Sequence, residues 1–261
     1  MSITRVGITG AAGDIGTTLR EGLSERYSLV LYDLQKIQGE SNGLPTRVLD
    51  LSDPHAVQGE FAGLDAVIHL AAERNPGTGW EQVLQHNISA TYNVFNEAVR
   101  SGVPKIVFAT TNHTQHGHTM GPVPESLDPS FYEQQRLLKL TDPPHPDSLY
   151  AVSKLFGENL GRYMVTTENI QFVGLRIGWL VPEDDASVKK GTISEDYLRA
   201  MFLSKKDCIQ AFTRAIEVDA PYLLAYAISR NDRRVFDLEA TEENLGFHPQ
   251  SNAESYFQSG S

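Results

Sequence analysis

The chain has 261 residues, a formal net charge of −11 and a single cysteine, Cys208. That length admits one large domain, or one domain with a small cap. One cysteine excludes an internal disulfide and a multi-cysteine metal site, and the acidic balance argues against nucleic acid or an anionic membrane as partner, since both need a basic face.

Met1–Val6 lacks the basic start, apolar centre and small-residue cleavage site of a secretory signal. No uncharged apolar stretch approaches the ~20 residues that span a bilayer. The expected location is the cytoplasm. The acidic balance fits a salt-adapted source and an ordinary enzyme equally well.

Arg5–Thr9 reads as a short buried strand that runs into Gly10-Ala-Ala-Gly13-Asp-Ile-Gly16. An amphipathic helix is expected from there to about Glu25. A second apolar run, Ser28–Tyr32, ends at Asp33. Strand, glycine turn, helix, strand and acid follow in the dinucleotide-binding order. Gly10 allows the tight turn, Gly13 lets the backbone approach a pyrophosphate, and Gly16 permits close helix–strand packing. The helix start, at Asp14 and Ile15, offers unpaired N–H groups to phosphate. A carboxylate at Asp33 accepts both ribose hydroxyls and repels a 2′-phosphate, which favours NAD over NADP.

Asp50 and Leu51 follow a short extended segment, where Asp50 either reaches an adenine amino group or closes a turn. Ala66–Ala72 is an apolar strand whose end, Leu70-Ala71-Ala72, is small enough for a flat cofactor to cross. His69 in mid-strand reads as a packed core residue. Glu81–Arg100 has helical spacing, with Gly102 as the stop. Asn87 lies on its crowded apolar side and reads as a bridge to a neighbouring strand, because a buried amide needs partners.

Lys105–Ala109 is the next strand and leads into Thr110-Thr111-Asn112-His113-Thr114. Polar groups at the C-terminal end of a strand are where open α/β sheets bind ligands. Residues 116–148 read as a long irregular segment, usually functional or mobile at such length. Tyr150 and Lys154 then sit four apart on a helix ending near Val165, so they share one face. An ammonium near a phenol favours the phenolate, which would let Tyr150 act as a base near neutral pH. Asn169–Ile177 is a further strand. Beyond it, Glu183–Ser194 reads as a loop, Glu195–Val218 as one helix, Tyr222–Ile228 as a strand and Leu238–Leu245 as a short helix. A frayed end is expected from Ser251.

The pattern predicts an α/β fold: a Rossmann-type, doubly wound parallel sheet over residues 1–178, with a small substrate cap over 179–261 packed intimately upon it.

These pieces resemble the extended short-chain dehydrogenase/reductases, and within them the sugar C1 dehydrogenases. The resemblance rests on the glycine turn, His69-Leu-Ala-Ala72, Phe108–Thr114, Tyr150-Ala-Val-Ser-Lys154-Leu-Phe-Gly-Glu158 and Arg176-Ile-Gly178. The runs Thr111–Thr114, Leu203–Cys208 and Leu245–Ala253 are similar to bacterial uronate dehydrogenases and haloarchaeal NAD-dependent glucose-6-phosphate dehydrogenases. The resemblance implies NAD as cofactor, with Asn87 and Ile177 joining the residues above on its side. It implies Tyr150 as general base, Lys154 as its electrostatic partner and Thr111 as the hydroxyl holding the substrate oxygen. Asn112 and His113 would contact the sugar. Arg199, with Lys205, Lys206 and Arg74 as further cations, would take a substrate phosphate or carboxylate. The implied reaction is oxidation of an anionic hexose at C1 to its lactone, glucose 6-phosphate first and a uronate second. By analogy the chain would form a homodimer or higher oligomer. A nucleotide-sugar epimerase or dehydratase has little room in the roughly 80 residues after Gly178, and a non-catalytic NAD sensor would not need both Tyr150 and Lys154.

Overall fold

The computed structural model describes residues 3–37, 43–75, 77–134 and 136–257. In chain order the elements are β1 (Arg5–Thr9), α1 (Asp14–Leu23), β2 (Ser28–Asp33), β3 (Thr46–Val48), α2 (Pro54–Val57), β4 (Ala66–His69), α3 (Trp80–Val83) and α4 (Ala90–Arg100). There follow β5 (Lys105–Thr111), α5 (Ser130–Glu133), α6 (Leu149–Thr167), β6 (Gln171–Ile177), α7 (Glu195–Met201), α8 (Lys205–Glu217), β7 (Tyr222–Ala227) and α9 (Glu239–Leu245).

The strands form one parallel sheet in the order β3-β2-β1-β4-β5-β6-β7. Alternate strand residues face opposite ways. Val107 therefore packs with α1 and α8, whereas Ile106 and Phe108 pack with α4 and α6. Both faces are covered, which explains why the strands read as unbroken apolar runs. Phe95, Phe108 and Phe172 interlock edge to face or tilted between α4 and the sheet. Each such fully buried ring stabilises the fold by roughly 1.5–3 kcal/mol relative to an exposed one. Helix α6 can lie close to β5 because residue 157 is glycine; a Cβ there would sit 2.5 Å from the Phe108 ring. The chain winds outward from β1 through β2 to β3, then returns to the other side of β1 with β4. That reversal leaves a crevice at the C-terminal ends of β1 and β4.

The predicted helix over 81–100 is interrupted. A π-helical segment, Leu84–Ser89, separates α3 from α4 and carries Asn87. The predicted helix over 195–218 is two helices, α7 and α8. The break at Phe202–Ser204 arises because Phe202 bridges to Trp179 and the Ser204 hydroxyl caps α8 by accepting from Asp207 N–H. Past Ile177, α8 and β7 complete the flank and edge of the sheet. Tyr197, Tyr226 and Phe236 instead pack with Leu127, Phe131 and Leu138 of the long loop. The segment expected to fray from Ser251 is ordered through Phe257: Ala253–Tyr256 forms a 3-10 turn, and Ala253 is buried with Val181, Leu198 and Phe202. Among the described residues no helix is long and apolar enough to cross a membrane.

Candidate active site

A cleft of about 960 Å³ runs along the C-terminal ends of the strands. At one end lies the glycine turn. Gly10 has φ +70°, and a Cβ there would fall 2.6 Å from the Ala71 nitrogen. A Cβ at Gly16 would fall 2.5 Å from the Gly10 carbonyl oxygen. No side chain caps α1 at Gly13, so the first-turn N–H groups around Asp14 and Ile15 are open to a ligand. Asp33 accepts from the N–H groups of Ala12 (2.9 Å) and Gln35 (3.0 Å), which ties the end of β2 to the turn. Leu70, Ala71 and Ala72 form the floor, with Asp50, Leu51 and Ile177 along the walls. Asp50 lines the cleft and closes the expected turn, accepting from Ser52 N–H and Oγ–H. An uncapped helix start, a turn with no room for side chains and a carboxylate at the end of β2 together fit an adenine dinucleotide.

Asn87 does not line the cleft. Its Oδ1 accepts from Glu73 N–H (2.7 Å), and its Nδ2 donates to the Glu73 carbonyl (3.0 Å) and Ser153 Oγ (2.9 Å). The bridge runs to the loop after β4 and to α6 rather than to a strand. Ser153 in turn donates to the Tyr150 carbonyl (2.7 Å). The π segment thus anchors the helix that carries Tyr150. His69 is a core residue, fully buried between Thr9 Oγ1 (2.7 Å) and Thr91 Oγ1 (3.1 Å), and burial holds its pKa well below the usual range.

At the middle of the cleft Thr111, Tyr150 and Lys154 meet. Lys154 is 2% exposed, with Nζ 4.8 Å from the Phe108 ring centroid and 5.7 Å from that of Tyr150. Burial pulls its pKa down to about 7. Burial also pushes Tyr150 up to about 12, against a hydrogen bond from Thr111 that lowers it. This corrects the expectation of a lowered phenol: without further positive charge, desolvation outweighs any help from Lys154.

At the far end, His113 reaches back to Asp147, Nδ1 to Oδ2 at 2.6 Å. Its Nε2 lies 3.1 Å from the Tyr197 hydroxyl, which accepts from Asn112 Nδ2 at 2.7 Å. The loop holds this arrangement because His145 N–H donates to the Thr114 carbonyl and Gly117 N–H to the His145 carbonyl, both at 2.9 Å. Burial works against the Asp147 carboxylate, but hydrogen bonds from His113 and Ser148 hold its pKa below the usual range. His116 packs tilted against Tyr197, with ring centroids 4.7 Å apart, and its pKa is pulled down to about 4 by burial. Trp179, Pro182 and Glu125 complete this end.

Several predicted substrate contacts lie elsewhere. Asn112 is 1% exposed and faces Tyr197, not the cleft. Arg199 does not line the cleft; its NH1 donates to Glu195 (2.8 Å), its Nε to Glu254 (2.9 Å) and its NH2 to the second Glu254 oxygen. Lys206 Nζ donates to Gln250 at 2.9 Å, and Lys205 is held at the start of α8 through its N–H on Asp184. Neither lysine lines the cleft. Arg74 does, and it pairs with Asp14 at 3.0 Å.

Sequence reasoning missed Tyr197, Asp147, Trp179 and Glu254. Tyr197 was hidden in an apolar helical stripe. Asp147 had one usable signal, a carboxylate beside the Ser148 cap of the Tyr150 helix. Glu254 had none, lying 55 residues from Arg199. Among the described residues no group of histidine, cysteine and carboxylate side chains could hold a metal ion.

A profile of the NAD dependent epimerase/dehydratase family matches residues 6–191. The chain is 36% identical over 256 residues to an L-arabinose 1-dehydrogenase (NAD(P)(+)) of Haloferax volcanii, covering 96% of this chain and 98% of that one. It is 34% identical over 260 residues to an NAD-dependent glucose-6-phosphate dehydrogenase of the same organism, covering 95% and 94%. The crystal structure of a point mutant of uronate dehydrogenase from Agrobacterium tumefaciens complexed with NAD superposes with a TM-score of 0.80 at 30% identity, covering 98% of this chain and 88% of that one. The chain belongs to the NAD dependent epimerase/dehydratase family, with the extended short-chain dehydrogenase/reductase fold. Its cofactor is NAD, which the glycine turn and Asp33 fit.

Proposed function

We propose that the chain oxidises a neutral aldose at its C1 hydroxyl, giving the lactone. The broader class is that of the NAD(P)-dependent sugar dehydrogenases. Bound NAD supplies the hydride acceptor and a positive charge on its nicotinamide. In this reading Tyr150 takes the proton from the C1 hydroxyl, Thr111 holds that oxygen and Lys154 provides the cation beside the phenol. A phenol pushed up to about 12 holds its proton at neutral pH, so abstraction requires that added positive charge.

One observation carries the choice of a neutral sugar over the phosphate or carboxylate that the sequence suggested. The cation meant for the anion, Arg199, already holds two carboxylates, Glu195 and Glu254. A substrate anion there would have to displace Glu254 from a fork geometry that suits guanidinium best. The sugar end also carries Glu125, which disfavours an anion. The second reading, an anionic sugar such as glucose 6-phosphate or a uronate, is favoured by Arg74, whose side chain is 74% exposed at the cleft.

The test is reduction of NAD and of NADP with L-arabinose, D-glucose, glucose 6-phosphate and D-glucuronate. A neutral aldose is expected to give a kcat/KM at least about tenfold above either anion, a gap of about 1.4 kcal/mol. An anion preferred by that margin would return the choice to Arg74. No turnover with any sugar would leave the epimerase or sensor readings.

A further inference from the structure

The polar chain behind the sugar end has a direction, and the direction follows from chemistry. Asn112 Nδ2 can only donate, so the Tyr197 oxygen accepts from it at 2.7 Å. At the other end Asp147 Oδ2, ionised, can only accept, so His113 Nδ1 carries the hydrogen between them at 2.6 Å. If His113 is neutral, Nε2 is then an acceptor, and the Tyr197 hydrogen lies toward it across 3.1 Å. The phenol oxygen is left with one unused lone pair and no hydrogen to offer.

We infer that Asp147 is a positioning residue that sets this polarity, so that Tyr197 presents only an acceptor to the sugar and discriminates against anions. This rests on the neutral-sugar reading. A sugar hydroxyl donates to the Tyr197 lone pair. A carboxylate or phosphate oxygen has no hydrogen to give and meets lone pair against lone pair. The discrimination is thus by repulsion as well as by attraction.

Asp147→Asn reverses the chain, and the surroundings dictate how the new amide sits. Ser148 Oγ already accepts from Ala151 N–H (3.2 Å), and its own hydrogen goes to Asp147 Oδ1 (2.9 Å). The amide oxygen must therefore face Ser148 and the amide NH2 must face His113. The imidazole responds by moving its hydrogen to Nε2, where it donates to Tyr197. The Tyr197 hydrogen then turns outward and can meet an anion.

The experiment uses the full chain. Ring ¹⁵N shifts of His113, assigned by comparison with His113→Gln, report which nitrogen carries hydrogen. In parallel, KM is measured for the best neutral aldose and Ki for D-glucuronate against it. The original chain should show hydrogen on Nδ1 alone. Asp147→Asn should move it to Nε2 and lower the ratio of Ki to KM at least about tenfold. A purely structural role would weaken both ligands alike and leave the ratio fixed. Tyr197→Phe, which removes only the hydroxyl, should raise KM for the aldose at least about fivefold and serves if Asp147→Asn does not fold. Hydrogen on Nε2 in the original chain, an unchanged ratio, or an unchanged KM in Tyr197→Phe would each overturn the inference. If the original chain oxidises no neutral aldose, the functional reading fails by itself, and the ¹⁵N shifts still decide the polarity.

Discussion

Lys154→Met should make the protein more stable and catalytically dead. Lys154 is 2% exposed, and its ammonium lies 4.8 Å from the Phe108 ring centroid. Its pKa falls from the usual 10.5 to about 7 through burial alone. At about 1.4 kcal/mol per tenfold, that gap costs about 5 kcal/mol well below pH 7 and about 4 kcal/mol at pH 7. Removing the ammonium also removes its cation–π attraction to the ring, which offsets about 1 kcal/mol. A net gain of about 3 kcal/mol is therefore expected at pH 7 for a side chain of similar volume. The sign with pH is fixed. Between 7 and 10.5 the unfolded chain binds a proton at Lys154 that the folded chain does not, so the original protein gains stability as pH rises. The advantage of the variant should therefore be full below pH 7 and vanish above 10.5. Urea unfolding at about pH 6, 8 and 10 without nucleotide measures it. A gap that is independent of pH, or that widens as pH rises, would refute a buried and largely unpaired ammonium.

Tyr150→Phe should lower kcat by about 10²–10⁴ with NADH affinity unchanged in a fluorescence titration; substantial remaining turnover would remove Tyr150 as the base. Gly16→Ala places a Cβ 2.5 Å from the Gly10 oxygen and 2.6 Å from Ala11 Cα. It should weaken NADH binding at least about tenfold in the same titration, and unchanged binding would show that the turn does not hold the dinucleotide. Glu254→Gln should cost about 1–3 kcal/mol of stability by urea unfolding and yield no D-glucuronate oxidation. Glucuronate turnover in that variant would mean that Arg199 can reach the substrate after all.

The glycine turn, Asp33 and the Tyr150–Lys154 spacing were legible because each is a local requirement of backbone or helix geometry. Both faces of the sheet are buried, so the strands stood out as apolar runs. What the sequence hid was pairing at a distance. Arg199 looks like an available cation until Glu254 is folded against it. The break before Ser204 was invisible because Met201, Phe202 and Leu203 are all fully buried and read as a continued apolar stripe. Tyr197 and Asp147 gain meaning only when the long loop brings Asp147 back to His113, whose other ring nitrogen meets Tyr197. The charge on the Tyr150 phenol was misjudged for a related reason: spacing gives proximity to Lys154 but says nothing of how little water reaches either group.

The π segment makes the chain length between Trp80 and Arg100 a functional constraint. A helix advances about 100° per residue, and the wider turn at Leu84–Ser89 accommodates one residue more than α-helical phase allows. Deleting a single residue there would restore a regular helix with α3 and α4 in their present phase, at the cost of the widened turn itself. Val83 on one side and Val94, Phe95 and Ala98 on the other would keep their buried places, and the change would fall on the turn between them. Asn87 would lose Glu73 and Ser153, and the start of the Tyr150 helix would lose its tether.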